Sequence, residues 1–216
     1  MRLLQRGIAP PTLVQNAAKW TIEFKQWIAD GKPKSDSRAT RYNKKAIKKA
    51  LFRDSHGKCS YCEFEVEGGS WGEIEHILPK SKVPDDVCKW ENLALACSVC
   101  NNPKDDYYDP GMPLLNPYKD VPEEHLSYDR EFARGLSSRG DKTVTQMMLN
   151  RSEKRNTRNR RLEKLISEVL RYQEITDETT KVYSGKSLLS IWTDPKVPHS
   201  YMCECYLREN TPELFA

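Results

Sequence analysis

The sequence predicts an α+β protein, mostly helical, in which a small strand–strand–helix unit is pinned by four cysteines. Helices from both ends of the chain wrap this unit. Three observations carry the prediction. Two CxxC pairs, Cys59/Cys62 and Cys97/Cys100, are separated by 34 residues. Only short apolar or alternating runs lie between them, the signature of brief strands. The chain before and after is dominated by apolar residues at helical spacing.

The chain has 216 residues, long enough to bury a core without a metal to make up for small size. A hydrophobic fraction of 38% and a charged fraction of 31% suit a soluble protein with a wide polar surface. No apolar run approaches the roughly 20 residues needed to span a bilayer. The start, MRLLQRGIAPP, lacks the long apolar stretch of a secretory signal. The expectation is a cytoplasmic protein with no membrane partner. Seven cysteines, an odd number, exclude complete internal pairing. In a reducing compartment, closely spaced pairs read as metal ligands.

Net charge is only +4, but it is unevenly placed. Between Lys32 and Lys58 there are ten Lys or Arg against Asp36 and Asp54. Between Arg151 and Lys164 there are seven against Glu153 and Glu163. Such clusters form local positive surfaces suited to phosphate or to an acidic partner.

Taken in order, three segments are expected. The first, 1–37, holds a helix from about Thr12 to Ala29, with Leu13, Ala17, Trp20, Phe24 and Trp27 or Ile28 on one face, and then a linker. It is a possible partner-binding arm. The second, 38–110, is the core unit. A helix from about Arg41 to Asp54 leads into it, with Ile47, Ala50 and Leu51 inward and Lys44, Lys45, Lys48 and Lys49 outward. Gly57 permits the turn into the first knuckle. A loop at 67–70 precedes a strand over Glu73–Leu78, which Pro79 ends. A second strand covers Asn92–Ala96, and the second knuckle starts a helix through Asn101 and Lys104. The third segment, 111–216, opens with a strap whose prolines forbid regular structure, pinned by Leu114 and Leu115. A hairpin over Leu126–Leu136, turning at Asp129-Arg130, follows. Helices are expected over Thr143–Leu149 and about Ser152–Ile175. The tail after Thr176 has no clear assignment.

Two CxxC knuckles supply four thiolates, which complete a tetrahedral site. With no open position, the zinc there is structural. Cys88, Cys203 and Cys205 read as reduced thiols, and His199 has no assigned role. Inside the gap lies EIEHILPKS. Phosphodiester hydrolysis needs an activated water, a metal to stabilise charge on phosphate, and fixed geometry. His76 is the base, and activity carried by it is expected to fall below pH about 6.5. Glu75 and Asn101 supply hard oxygen ligands suited to Mg²⁺. Asn92 fixes the loop that follows His76. Lys80, Lys104, Lys48 and Lys49 are the expected phosphate contacts.

These residues, CSYC, EHILPKS and WENLALACSVCNNPK, resemble the HNH endonucleases. The resemblance implies a ββα-metal core in which His76 activates water, Glu75 and Asn101 bind catalytic Mg²⁺ or Mn²⁺, and Asn92 orients the His-bearing loop. The flanks MRLLQRG, PLLNPYKD and KTVTQMMLNR are similar to the HNH nuclease subunit of Septu-type and retron-associated anti-phage systems. That likeness implies an ABC-type ATPase partner and a nucleic-acid substrate. The alternative is a non-catalytic, zinc-stabilised nucleic-acid-binding or adaptor module. It uses the cysteines and basic helices but leaves the order of Glu75, His76, Asn92 and Asn101 without a reason.

Overall fold

A computed structural model describes residues 1–66 and 72–216. The loop expected at 67–70 lies outside the described residues. The elements run α1 (Pro11–Ala29), α2 (Lys45–Asp54), β1 (Glu73–His76), β2 (Leu93–Ala96), α3 (Ser98–Lys104), β3 (Leu126–Asp129), β4 (Phe132–Gly135), α4 (Ser138–Gln146), α5 (Ser152–Gln173), α6 (Glu178–Trp192) and α7 (Ser200–Asn210). The α+β, mainly helical class is thus the one observed. Among the described residues no helix is long and apolar enough to cross a membrane.

β1 and β2 pair antiparallel, with His76 opposite Leu93 and Glu73 opposite Ala96. β2 is LALA and buried at all four positions, so it forms the floor of the unit. α2 buries Ile47, Ala50 and Leu51 and packs against both strands. Before it, a short 3₁₀ turn at Ser37–Thr40, capped by Asp36, delays the helix to Lys45. Gly57 adopts φ +72°, and a Cβ there would lie 2.9 Å from the Phe52 ring, so glycine is required at this turn. One hydrophobic cluster runs through the molecule, from Met1 and Leu13 to Met202 and Leu207.

The strap lies over this core. Leu115 is buried, and its N–H donates to Thr143 Oγ1 at 3.0 Å. Arg139 ties the strap down by donating to the carbonyls of Pro113 and Leu114 and pairing with Asp120. α4 starts at Ser138, five residues before the expected position. The Ser137 hydroxyl caps it by accepting from Gly140 N–H, so an ST cap rather than apolar periodicity sets the boundary. The tail forms two helices that the sequence reading left unassigned. α7 buries Tyr201, Met202, Cys203 and Leu207 against β3 and α5.

The basic stretch on α5 is partly internal. Lys154 and Arg158 are buried. Lys154 lies 3.7 Å from the centre of the Phe64 ring, and Arg158 donates to Glu131 O. Neither is free to bind phosphate or a partner. Arg160 and Lys164 remain exposed.

Buried ionisable groups set the acid response. Burial lowers the His76 and His199 pKa values to about 3 and about 4. Burial would raise Glu63, but the Met1 ammonium 2.7 Å away and Lys58 overcome it and hold the carboxyl at about 2. All three values lie below the ordinary ones, so the unfolded chain takes up protons first as pH falls. The melting temperature is therefore expected to drop as pH falls below about 6.5, with Glu63 adding to the loss below about 4.5. Thermal melts from pH 8 to pH 4 check this; a Tm that holds or rises over that range would contradict it.

Candidate metal and nuclease site

The first knuckle is built by backbone bonds. Cys59 N–H donates to Phe64 O, Glu63 N–H donates to Cys59 O, and Ser60 N–H donates to Leu95 O, which ties the knuckle to β2. The second knuckle is the N-terminus of α3, where Cys100 and Asn101 N–H groups both donate to Cys97 O. The Sγ atoms of Cys59, Cys62, Cys97 and Cys100 all lie within 4.8 Å of one another. The Cys62 and Cys97 sulfurs are 3.8 Å apart, and no disulfide forms. A tetrahedron of zinc–sulfur bonds of about 2.3 Å places its sulfurs about 3.8 Å apart, so the four residues fit one metal ion. Hydrogen bonds from Cys100 and Cys59 lower the Cys97 thiol, while burial raises Cys59 and bonds to the other three thiols raise Cys100. Arg151 Nη2 donates to Cys100 Sγ at 3.5 Å, offsetting thiolate charge. Among the described residues, Cys203, Cys205 and His199 join no metal-holding group.

β1 then carries the polar residues to one cavity of about 620 Å³, lined by Tyr42, Glu75, His76, Lys80, Asn101, Asp105 and Asp106 among others. Alternation along β1 separates two sets of contacts. Glu73 and Glu75 both meet α3: Glu73 Oε2 accepts from Asn101 Nδ2 at 2.6 Å, and Glu75 pairs with Lys104. A carboxylate only accepts, so this bond fixes the Asn101 amide with its oxygen turned away from Glu73. Burial pushes the Glu75 carboxyl up, and the Lys104 ammonium opposes that shift.

His76 lies on the other side, edge-on to the Tyr42 ring with centroids 4.5 Å apart. Its Nε2 is 2.9 Å from Val87 O. A carbonyl only accepts, so Nε2 carries the hydrogen and Nδ1 keeps the lone pair. Asn92 spans the intervening loop. It accepts from Leu78 N–H at 2.7 Å and donates to Leu78 O and Asp86 O. These bonds hold both ends of the turn that brings Val87 to the imidazole.

Lys80 lines the cavity and donates to the Tyr42 hydroxyl. Lys104 does not face solvent. It is 1% exposed, pairs with Glu75 and donates to His76 O at 2.8 Å. The phosphate contact expected of Lys104 is therefore corrected: this lysine braces β1 from within, because it follows the buried face of α3. Lys48 donates to Gly72 O, and Lys49 is exposed on α2. Sequence reasoning missed Glu73, Tyr42 and the Val87 carbonyl. The i, i+2 spacing of Glu73 and Glu75 could have shown the first; nothing local marks the other two.

Replacing Lys104 with Met leaves Glu75 buried without its counter-charge. The expected cost is about 3–5 kcal/mol of stability, read from urea unfolding. A change below 1 kcal/mol would mean that the pair contributes little.

Two antiparallel strands, a following helix, a cysteine-held metal position and a strand-borne Glu-His step together define an HNH-type ββα unit. In agreement, residues 59–106 match the HNH endonuclease family, and this central segment is an HNH domain. Over a longer stretch the chain is similar to Septu protein PtuB of Bacillus thuringiensis, 32% identical over 152 residues, covering 70% of this chain and 55% of that protein. It is 30% identical to Septu protein PtuB of Bacillus mycoides (strain KBAB4), covering 52% of this chain and 49% of that protein. The chain spans about half the length of the curated relatives it matches.

Proposed function

We propose that this chain is a metal-dependent endonuclease that hydrolyses phosphodiester bonds in nucleic acid. It acts in the cytoplasm as the nuclease of an anti-phage complex with an ABC-type ATPase. One observation carries the catalytic reading: an imidazole whose Nε2–H is held by Val87 O, so that Nδ1 keeps its lone pair, lines the same cavity as two oxygen donors, Glu75 and Asn101. The similarity to Septu proteins supports the defence role, and the resemblance of the flanking segments supports the ATPase partner.

In this reading Cys59, Cys62, Cys97 and Cys100 hold structural Zn²⁺, and Glu75 and Asn101 hold Mg²⁺ or Mn²⁺. The catalytic ion supplies charge stabilisation at the scissile phosphate. His76 Nδ1 takes the proton from the attacking water, while Val87 O accepts from Nε2–H and steadies the ring as it becomes cationic. Asn92 positions the loop so that this bond persists. Lys80 neutralises phosphate from within the cavity, and Lys48 and Lys49 extend the positive surface along α2. Lys104 pairs with Glu75, opposes the upward shift that burial imposes on its carboxyl, and holds it in place.

Glu73 acts through Asn101, whose amide it orients by accepting from Nδ2. Glu73→Ala frees the amide to turn, and Mn²⁺ affinity measured by calorimetry is expected to fall about tenfold or more. Unchanged affinity would remove Glu73 from this role. The function itself is tested by incubating the purified protein, alone and with its genomic neighbour, with plasmid or total RNA and Mg²⁺ or Mn²⁺. Cleavage that stops with EDTA is expected. Binding without cleavage under every condition would favour the non-catalytic module.

A further inference from the structure

Next to the catalytic cavity is a second one, of about 320 Å³, and Pro79 lines both. The HNH chemistry leaves it without a role. Its lining is rich in aromatic and apolar side chains: Tyr107, Tyr108, Leu78, Pro110 and Pro113. Tyr108 is 44% exposed and Leu78 37% exposed, so large apolar surface stays open to water within a few residues of the site of chemistry. The frame is fixed. The Tyr107 hydroxyl donates to Met112 O at 2.8 Å, and Arg139 holds Pro113 O. The acids at the pocket are already engaged: Asp120 by Arg139, and Asp109 by the N–H groups of Gly111 and Met112. Lys119 is part of the lining, and Lys142 lies 4.6 Å from the centre of the lining Tyr107 ring, which brings positive charge to the pocket's neighbourhood.

We propose that this pocket seats one unpaired nucleobase of the substrate strand, adjacent to the scissile phosphate. The inference rests on the nucleic-acid reading of the neighbouring cavity and names the substrate class: single-stranded, looped or flipped-out nucleic acid rather than intact duplex. A pocket of this volume lies at the small end of ligand sites and is large enough for a nucleobase. An aromatic and apolar wall is what a base face requires, and it accepts any base because each has a π-face. The nearby cations Lys119 and Lys142 suit the flanking phosphates. Continuity through Pro79 puts base and phosphate on one path along the strand.

The test uses the His76→Ala protein, so that binding is read without cleavage. Fluorescence anisotropy is measured with single-stranded DNA, single-stranded RNA and the matching duplexes, each with normal bases or with one abasic position walked along the strand. One position is expected at which base removal weakens binding about tenfold or more in the single strand. That loss is expected to vanish in Tyr108→Ala and to return in Tyr108→Phe. The DNA and RNA arms show which sugar the strand carries. Abasic and normal strands bound equally, duplex bound as tightly as single strand, or a base effect untouched by Tyr108→Ala would each overturn the proposal. Cleavage by the wild type is assayed in parallel. Its absence with the base effect intact would defeat the nuclease reading and leave the pocket standing.

Discussion

Cys62→Ser is expected to cost the protein its folded central unit. The sulfur of Cys62 is fully buried and lies 3.8 Å from that of Cys97, within the four-thiol cluster. A structural zinc of this kind contributes about 10–16 kcal/mol of apparent binding energy, as much as the whole stability of an ordinary domain. β1, β2 and α3 are short, and each depends on the cluster or on a neighbour that the cluster holds. The variant should emerge with less than one equivalent of zinc, lose near-ultraviolet dichroism and melt without a cooperative transition. Treating the wild type with a strong chelator should produce the same signals. A Cys62→Ser protein that melts like the wild type would show that the thiols pack as ordinary core residues.

His76→Ala is expected to lower the cleavage rate by at least about 10²-fold, the usual worth of a positioned base. Zinc content and the far-ultraviolet spectrum should be retained. The pH profile carries more information than the loss alone. An unperturbed imidazole would give an acid limb near 6.5. Burial lowers this one to about 3, and Lys80 and Lys104 add to the shift. A cation on Glu75 acts in the same direction. His76 is then neutral throughout the neutral and mildly acid range, so its protonation does not limit activity there. The acid limb of kcat/KM is expected well below pH 6.5, and a limb at 6.5 that His76→Ala removes would contradict the buried geometry.

Much of the site was legible because its chemistry is local in sequence. Four cysteines at CxxC spacing can meet only if the chain between them folds back, and the run from Glu73 to Ala96 does so as one antiparallel pair. The inward residues of α2, Ile47, Ala50 and Leu51, followed from helical spacing. What was not legible depends on partners distant in the chain. Lys104 reads as a surface lysine at a helix end, and only the packing of α3 on β1 turns it inward to Glu75. The basic stretch from Arg151 to Lys164 reads as a charged face, yet two of its seven cations, Lys154 and Arg158, are buried and lie against Phe64 and Tyr128, from segments far earlier in the chain. α6 and α7 escaped notice because a glycine, Gly185, interrupts the first and two prolines, Pro195 and Pro198, precede the second. Gly185 is there for packing: a Cβ would sit 2.5 Å from the Leu214 side chain.

Anomalous diffraction at the zinc and manganese edges, from crystals soaked in Mn²⁺, tests the arrangement most directly. The expected result is a zinc peak among the sulfurs of Cys59, Cys62, Cys97 and Cys100, and a separate manganese peak bounded by the Glu75 carboxylate and Asn101 Oδ1, with His76 Nδ1 facing the same space. Manganese found elsewhere, or no ion between those two oxygen donors at saturating Mn²⁺, would contradict it.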